Sequence, residues 1–169
     1  HLNKVVDIAV KYGFKPHMWS DMFFRIACND YVPADIPDKV KAQVPEQVGL
    51  AYWDYYRKNQ EFHDQMFQSH KSFNREVWFA GGAWMWRGFA PHNKYTFETM
   101  IPEIKALKEN DVKNIFFTMW GDDSSECSRF ATLPALFYIS EYVKGNKNLA
   151  LIKKKFKEKY GIAFDRFML

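Results

Sequence analysis

The chain has 169 residues, of which 47% are hydrophobic and 26% charged; this is enough apolar material for one buried core and excludes a disordered chain. The net charge of +4 arises from 24 basic and 20 acidic residues, and their interspersion favours a solvated surface over a nucleic-acid-binding patch. No apolar run approaches the roughly 18 residues of a membrane span, so neither nucleic acid nor membrane is expected as a partner.

Cysteine and histidine spacing predicts no metal site, and no cofactor is expected. Cys28 and Cys127 form neither a disulfide framework nor a metal-ligand pattern, and they fit a reducing, cytoplasmic compartment. His63 and His70 lie seven residues apart, which predicts a solvated stripe on one helix face.

The first half of the chain predicts a helix, a strand, a long loop and a second strand. The helix covers residues 1–13, with Gly13 as its C-cap and five residues facing inward, namely Leu2, Val5, Val6, Ile8 and Ala9. The other predicted elements are a strand ending at Trp19, a loop with a short helix around Pro37–Val44, and a strand over Val48–Trp53.

The second half continues the alternation. A helix is predicted over Asn59–Asn74, with Phe62, Met66 and Phe73 inward, and a strand over Val77–Trp86, in which Gly81 and Gly82 indicate a bulge or a close backbone approach. A helix N-capped by Thr96 follows, then a strand with Ile115, Phe116 and Phe117 buried on both faces. Two helices complete the chain, the first kinked or restarted at Pro134 and the second over residues 148–161.

Tryptophans recur at the predicted strand ends. Trp19, Trp53, Trp86 and Trp120 are separated by 34, 33 and 34 residues, and each interval contains one strand and one helix. Four such units, at roughly 30 residues each, predict half of a (β/α)8 barrel. The rival is a doubly wound open sheet, but no glycine-rich phosphate loop follows the first strand.

The carboxyl ends of the predicted strands combine aromatic rings with carboxylates. The aromatic content is 18%, and Asp21, Asp54, Asp122 and Asp123 follow the strands closely. Flat rings and carboxylates suit a pyranose, although a hydrophobic ligand pocket with helix-capping carboxylates fits the same residues. Composition leaves both hypotheses open.

Four motifs narrow the choice. The segments WSDMFFR (19–25), LAYWDYY (50–56), FAGGAWMWRGFAPHN (79–93) and TMWGDDSSECS (118–128) resemble, in order, the second half of the catalytic barrel of glycoside hydrolase family 20. The similarity is greatest to the bacterial exo-β-N-acetylglucosaminidases. It implies an α/β chain that is the C-terminal half of a TIM barrel, one partial catalytic domain over residues 1–169 from helix 4 through strand 8 and the following helices, truncated at both ends.

The resemblance also implies roles for individual residues. Trp19 and Trp53 match tryptophans that line the acetamido pocket, and Trp120 matches the floor under the sugar ring. Asp122 occupies the position of a carboxylate that accepts hydrogen bonds from the 4- and 6-hydroxyls of the terminal sugar.

At strand seven the chain departs from the family pattern. Trp84 and Trp86 stand where many members have a tyrosine that donates to the acetamido oxygen. Tyr52, Tyr55 or an indole N–H is the expected replacement, and all four residues are candidate substrate contacts.

Family members use the acetamido oxygen of the substrate as the nucleophile, assisted by an adjacent Asp-Glu pair. No Asp-Glu dipeptide occurs among the 169 residues, so the chain is expected to bind a terminal N-acetylglucosamine or N-acetylgalactosamine without hydrolysing it. The alternatives are a carbohydrate-binding module without catalysis and a structural half-barrel that associates with itself or with a missing N-terminal half.

Overall fold

The computed structural model describes residues 1–121 and 126–168. Strands and helices alternate along this part of the chain, which makes it an α/β protein. The α-helices are α1 (Leu2–Lys11), α2 (Asp21–Cys28), α3 (Asp38–Lys41), α4 (Gln60–Lys71), α5 (Asn93–Glu109), α6 (Leu133–Val143) and α7 (Leu149–Tyr160). The strands are β1 (His17–Trp19), β2 (Gly49–Trp53), β3 (Val77–Gly82) and β4 (Asn114–Thr118). Short 3-10 helices cover Arg129–Thr132 and Phe164–Phe167.

The four strands form one parallel sheet in the order β1-β2-β3-β4. His17 pairs with Gly49 and Trp19 with Ala51, while Ala51 also pairs with Trp78. Sequential order without a reversal means that each strand is added beside the preceding one. All carboxyl ends of a parallel sheet lie at the same edge, as the sequence predicts for Trp19 and Trp53.

The chain divides into two compact units. Unit 1 comprises His1–Asp54, Asn59–Ala80 and Lys105–Phe116, and unit 2 comprises Tyr55–Lys58, Gly81–Ile104 and Phe117–Leu169. The core of unit 1 consists of fully or almost fully buried residues, among them Phe24, Ile36, Leu50, Tyr52, Met66, Phe67 and Phe79. In unit 2, Ile152, Phe156 and Phe164 form a buried cluster against Phe97, Phe137 and Tyr138.

Helix α1 buries a narrower stripe than the sequence predicts. Val6 is buried, and Leu2 and Ala9, at helical spacing from it, are half-buried. Val5 and Ile8, also predicted to face inward, are 50% and 58% exposed. The prediction was wrong for these two residues because they lie beside the single stripe that makes contact.

The glycine pair in β3 shows the predicted close approach. A Cβ atom on Gly82 would lie 2.7 Å from both the Trp86 and Tyr55 rings. However, β3 ends at Gly82, so Trp84 and Trp86 belong to the following loop and not to the strand. The Ala83 N–H still donates to the Thr118 carbonyl at 3.0 Å, whereas the Trp84 main-chain N–H donates to the Thr96 hydroxyl at 2.9 Å.

Two further expectations about the second half need correction. Helix α5 begins at Asn93, so Thr96 lies inside its first turn instead of capping it. All five residues of β4 are half-buried, whereas the sequence predicted burial on both faces. Within the described sheet, β4 lies beside β3 and is the last strand, so no further strand pairs with its other edge.

The helices near the C-terminus start as the sequence indicates. Pro134 lies in the first turn of α6, so the chain restarts there after the 3-10 helix. Asn148 caps α7 by accepting a hydrogen bond from the Leu151 N–H at 3.1 Å. Among the described helices, none is long and apolar enough to cross a membrane.

Candidate carbohydrate-binding residues

In unit 1, Trp53 is the last residue of β2 and is held on several sides. Its indole N–H donates to Asp21 Oδ1 at 3.2 Å. Its main-chain N–H donates to the Tyr31 hydroxyl at 3.3 Å, and the Tyr31 ring lies 5.3 Å from the Trp53 ring, centroid to centroid. Trp53 is half-buried, and both its indole ring and its main-chain N–H have defined partners.

A buried hydrogen-bond chain continues from Tyr31 into α4. The Ser20 hydroxyl lies 3.0 Å from the Tyr31 hydroxyl and 2.7 Å from His70 Nε2, while His70 Nδ1 lies 2.6 Å from the Met66 carbonyl. A carbonyl only accepts, so Nδ1 carries the proton and Nε2 is an acceptor for the Ser20 hydroxyl, which also lies 3.0 Å from the Ala51 carbonyl oxygen. Burial lowers the pKa of His70 from 6.5 to about 4, which keeps the ring neutral in this chain.

Tyr52 is a core residue of unit 1. Its side chain is fully buried, its hydroxyl lies 2.7 Å from His63 Nδ1, and its ring contacts Phe67 and Phe79. A side chain enclosed in this way has no surface for a sugar. The structure therefore contradicts the expectation that Tyr52 lines the pocket.

The histidines of α4 also differ from their prediction. His63 and His70 are both completely buried, whereas their spacing predicted a solvated stripe. Burial is tolerated because Tyr52, Ser20 and the Met66 carbonyl provide hydrogen-bond partners.

The opposite face of the unit 1 sheet is open and aromatic. It surrounds a concavity of about 380 Å³ lined by His17, Met18, Trp19, Met22, Ala51, Trp78 and Phe116. The Trp19 and Phe116 rings lie 6.0 Å apart although β1 and β4 are the first and last strands of the sheet. The two side chains therefore reach toward each other across the strands between them, and the small Ala51 of β2 leaves room for the rings.

In unit 2, Trp84 and Trp86 form a stacked pair in the loop after β3. Their ring centroids lie 4.4 Å apart at an interplanar angle of 29°, and both side chains are nearly buried. Trp86 meets the Tyr55 ring edge-on at 5.4 Å, and Trp84 meets Tyr95 at 4.8 Å. These rings support each other as an aromatic cluster.

Trp84 uses its indole N–H within this cluster. The N–H donates to the Tyr55 main-chain carbonyl at 2.7 Å. Its single donor is therefore engaged, which contradicts Trp84 as a replacement donor to an acetamido oxygen.

The Tyr55 hydroxyl contacts the last residue of β4, Thr118, and Trp120, two residues further along the chain. Burial raises the pKa of Tyr55, and hydrogen bonds with the side chains of Thr118 and Trp120 oppose this rise. An indole nitrogen only donates, so Tyr55 accepts from Trp120, and Thr118 donates to the Gly81 carbonyl at 3.2 Å.

Trp120, the indole partner of the Tyr55 hydroxyl, is partly exposed. Its side chain is 37% exposed, and it lies two residues beyond the end of β4, whereas the sequence predicted it at the strand end. Asp122, the predicted hydroxyl contact, lies outside the described residues, as does Asp123.

Two further residues near the predicted site, Cys127 and Asp54, are buried. Burial raises the pKa of the Cys127 thiol, which disfavours a nucleophilic thiolate. Among residues 1–121 and 126–168, no group of His, Cys, Asp and Glu side chains has an arrangement that could hold a metal ion.

Sequence reasoning missed Tyr31 and His70. Both residues contact the Ser20 hydroxyl. Tyr31 is in a proline-rich loop and His70 is 50 residues from Ser20, so neither local periodicity nor spacing indicates these contacts. The pairing depends on the fold.

A scan against protein-family models and a search of curated proteins each returned no match.

Proposed function

We propose that this chain is the C-terminal half of a (β/α)8 barrel of the family 20 β-N-acetylhexosaminidase type and that it binds a terminal N-acetylhexosamine. The parallel sheet supports the barrel, because its sequential order has no reversal of the kind that defines a doubly wound fold. Its concave aromatic face, on which Trp19 approaches Phe116, is what the interior of a barrel requires.

The observation that carries the binding role is the tethered, partly exposed Trp120. Its indole N–H is anchored on the Tyr55 hydroxyl, while 37% of the side chain remains accessible. A ring fixed at one edge presents an apolar face to the C–H groups of a pyranose at a low cost in conformational entropy.

The resemblance assigns further contacts within this proposal. Trp19 and Trp53 would contact the acetamido group, and Asp122 the 4- and 6-hydroxyls. Trp86 packs against Tyr55 and supports its position. Of the two tyrosines proposed as donors to the acetamido oxygen, Tyr52 lies in the core of unit 1, so Tyr55 remains the candidate.

The proposed parent reaction is retaining hydrolysis in which the acetamido oxygen of the substrate attacks the anomeric carbon. It needs an Asp-Glu pair to orient that group and to protonate the leaving oxygen, a contribution of about 10²–10⁴-fold in rate for the proton transfer. The 169 residues contain no such pair. We therefore assign this chain a binding role.

Calorimetry with N-acetylglucosamine tests the proposal. We expect a Kd of about 1 mM or lower, and Trp120→Ala should abolish binding. Phe130→Ala is the matched control, since it removes an aromatic side chain of unit 2 that is 82% exposed and outside the proposed contacts. Absence of binding by the unaltered chain would contradict the proposal.

An activity assay tests the assignment of a binding role. The chain should not release a chromogenic aglycone from a β-N-acetylglucosaminide. Steady release by the pure 169-residue protein would show that it contains its own general acid.

The open face of the unit 1 sheet favours a second candidate, a structural half-barrel whose partner is protein. The concavity between Trp19, Trp78 and Phe116 is apolar, and β1 and β4 each have one free edge in the described sheet. Sedimentation distinguishes the candidates: a well-folded monomer that binds N-acetylglucosamine supports the first, and a self-associating chain that binds no sugar supports the second.

A further inference from the structure

Trp53 is fixed by groups that come from two other parts of unit 1. Asp21 is the first residue of α2 and accepts from the indole N–H at 3.2 Å. Tyr31 comes from the loop between α2 and α3, and its hydroxyl accepts from the Trp53 main-chain N–H at 3.3 Å. Its ring also packs at 5.3 Å against the indole, tilted by 36°.

Tyr31 is itself immobilised. It is 5% exposed, and its ring meets Phe24 edge-on at 5.3 Å. Its hydroxyl lies 3.0 Å from the Ser20 hydroxyl, which lies 2.7 Å from His70 Nε2. Because burial raises the pKa of Tyr31, the phenol stays protonated and keeps one proton to donate.

The directions of most of these hydrogen bonds follow from their partners. The Trp53 main-chain N–H donates to Tyr31, and His70 Nδ1–H donates to the Met66 carbonyl. Tyr31 donates to Ser20, whose single proton is within reach of two acceptors, His70 Nε2 at 2.7 Å and the Ala51 carbonyl at 3.0 Å. The interior of α4 is thereby connected to the last residue of β2.

We propose that Tyr31 and Asp21 are positioning residues that hold the Trp53 indole in one orientation for a ligand. This inference rests on the proposed function for the identity of the ligand, an N-acetylhexosamine. The two residues act on different parts of Trp53, Tyr31 on the backbone and ring and Asp21 on the indole N–H.

The variants separate these two contacts. Tyr31→Phe removes one hydroxyl and keeps the ring, and Asp21→Ala removes the acceptor of the indole N–H. Asp21→Asn retains an acceptor oxygen and should behave like the unaltered chain. Tyr52→Phe is the matched control, because it removes another buried hydroxyl of unit 1, bonded to His63.

The first measurement needs no ligand. In 1H–15N spectra of the 169-residue chain, the Trp53 indole signal is assigned by its loss in Trp53→Phe. We expect Asp21→Ala to shift this signal and to accelerate its hydrogen exchange, and Tyr31→Phe to accelerate exchange of the Trp53 main-chain amide. Asp21→Asn and Tyr52→Phe should leave both signals close to those of the unaltered chain.

The second measurement is calorimetry with N-acetylglucosamine. Releasing one ordered side chain should weaken binding by about threefold to tenfold in Tyr31→Phe and in Asp21→Ala, with a smaller change in Asp21→Asn. Thermal denaturation identifies any variant that fails to fold. If Tyr31→Phe does not fold, Asp21→Ala alone tests the inference.

The outcomes separate this inference from the function on which it rests. If the unaltered chain binds no sugar, the proposed function fails. The Trp53 signals in the 1H–15N spectra then show by themselves whether Tyr31 and Asp21 hold the indole in place. If Tyr31→Phe and Asp21→Ala fold and leave the Trp53 signals unchanged, the inference is overturned whether or not sugar binds. It is equally overturned if sugar binds to both variants with unaltered affinity.

Discussion

The indole N–H of Trp84 donates to the main-chain carbonyl of Tyr55 across 2.7 Å. This bond joins the loop after β3 to the segment after β2, and both side chains are at most 6% exposed. The residue that sequence reasoning considered as a donor to substrate is therefore a donor to the protein itself.

Trp84→Phe should destabilise the chain. The substitution leaves the buried Tyr55 carbonyl without its indole donor, which costs about 1–3 kcal/mol in the free energy of unfolding. Urea denaturation measures the change. Phe89→Ala is the control, since that side chain is 83% exposed, and a surface change should remain within about 0.5 kcal/mol. Equal stabilities of the two variants would argue against a structural role for the Trp84 bond.

Gly82→Ala and Gly81→Ala form a matched pair. A Cβ atom on Gly82 meets two rings at 2.7 Å, whereas one on Gly81 meets the flexible end of Met100 at 2.5 Å and one ring, Phe117, at 3.0 Å. We expect Gly82→Ala to cost about 1–3 kcal/mol and Gly81→Ala to cost less, because Met100 can change its rotamer. Thermal denaturation of both variants checks the order, and a larger loss in Gly81→Ala would contradict it.

The buried His70 predicts a pH dependence of stability. Its pKa is about 4 in the folded chain and 6.5 at its ordinary value. Between these values the unfolded chain binds a proton that the folded chain does not, so stability falls as the pH falls from 6.5 to 4, by roughly 3 kcal/mol in total. Above pH 6.5 both states have a neutral His70 and the free energy of unfolding is not reduced by it. Below pH 4 both states bind the proton, so His70 lowers the free energy of unfolding no further.

Urea denaturation at pH 7 and at pH 5 measures the effect, since carboxylates titrate mostly below that window. His70→Gln should show a smaller difference between the two pH values than the unaltered chain, whatever its own stability. An identical difference in both proteins would assign the pH dependence to other groups.

Tyr55→Phe should affect binding more than stability. The change removes the acceptor of the Trp120 indole N–H, and the partly exposed indole can then donate to water. On the proposed function, freeing this ring should weaken N-acetylglucosamine binding by about threefold to tenfold. Calorimetry measures the affinity and thermal denaturation the stability. Unchanged affinity would remove Tyr55 from the proposed contacts.

Much of the element order could be predicted from the sequence. The ends of β1 and β2 at Trp19 and Trp53, a last helix within residues 148–161 and the restart at Pro134 were all confirmed. Each of these features depends on local periodicity or on the backbone chemistry of one residue, and a short stretch of sequence contains that information.

The environment of the candidate residues could not be predicted in this way. Tyr52 and Trp53 are neighbours in sequence, yet Tyr52 is bonded to His63 in the core while Trp53 is half-buried against Tyr31 and Asp21. Likewise, the spacing of His63 and His70 says nothing about the hydroxyls that make their burial tolerable.

The sequence by itself determined the alternation of strands and helices and the tryptophans that end β1 and β2, because apolar periodicity and turn chemistry act over a few residues. Only the tertiary structure decided that Trp84 donates to Tyr55, that Trp120 is tethered to the Tyr55 hydroxyl and that Ser20 meets His70. These bonds join residues 29, 65 and 50 positions apart, and burial, which makes such bonds necessary, is a property of the packed chain.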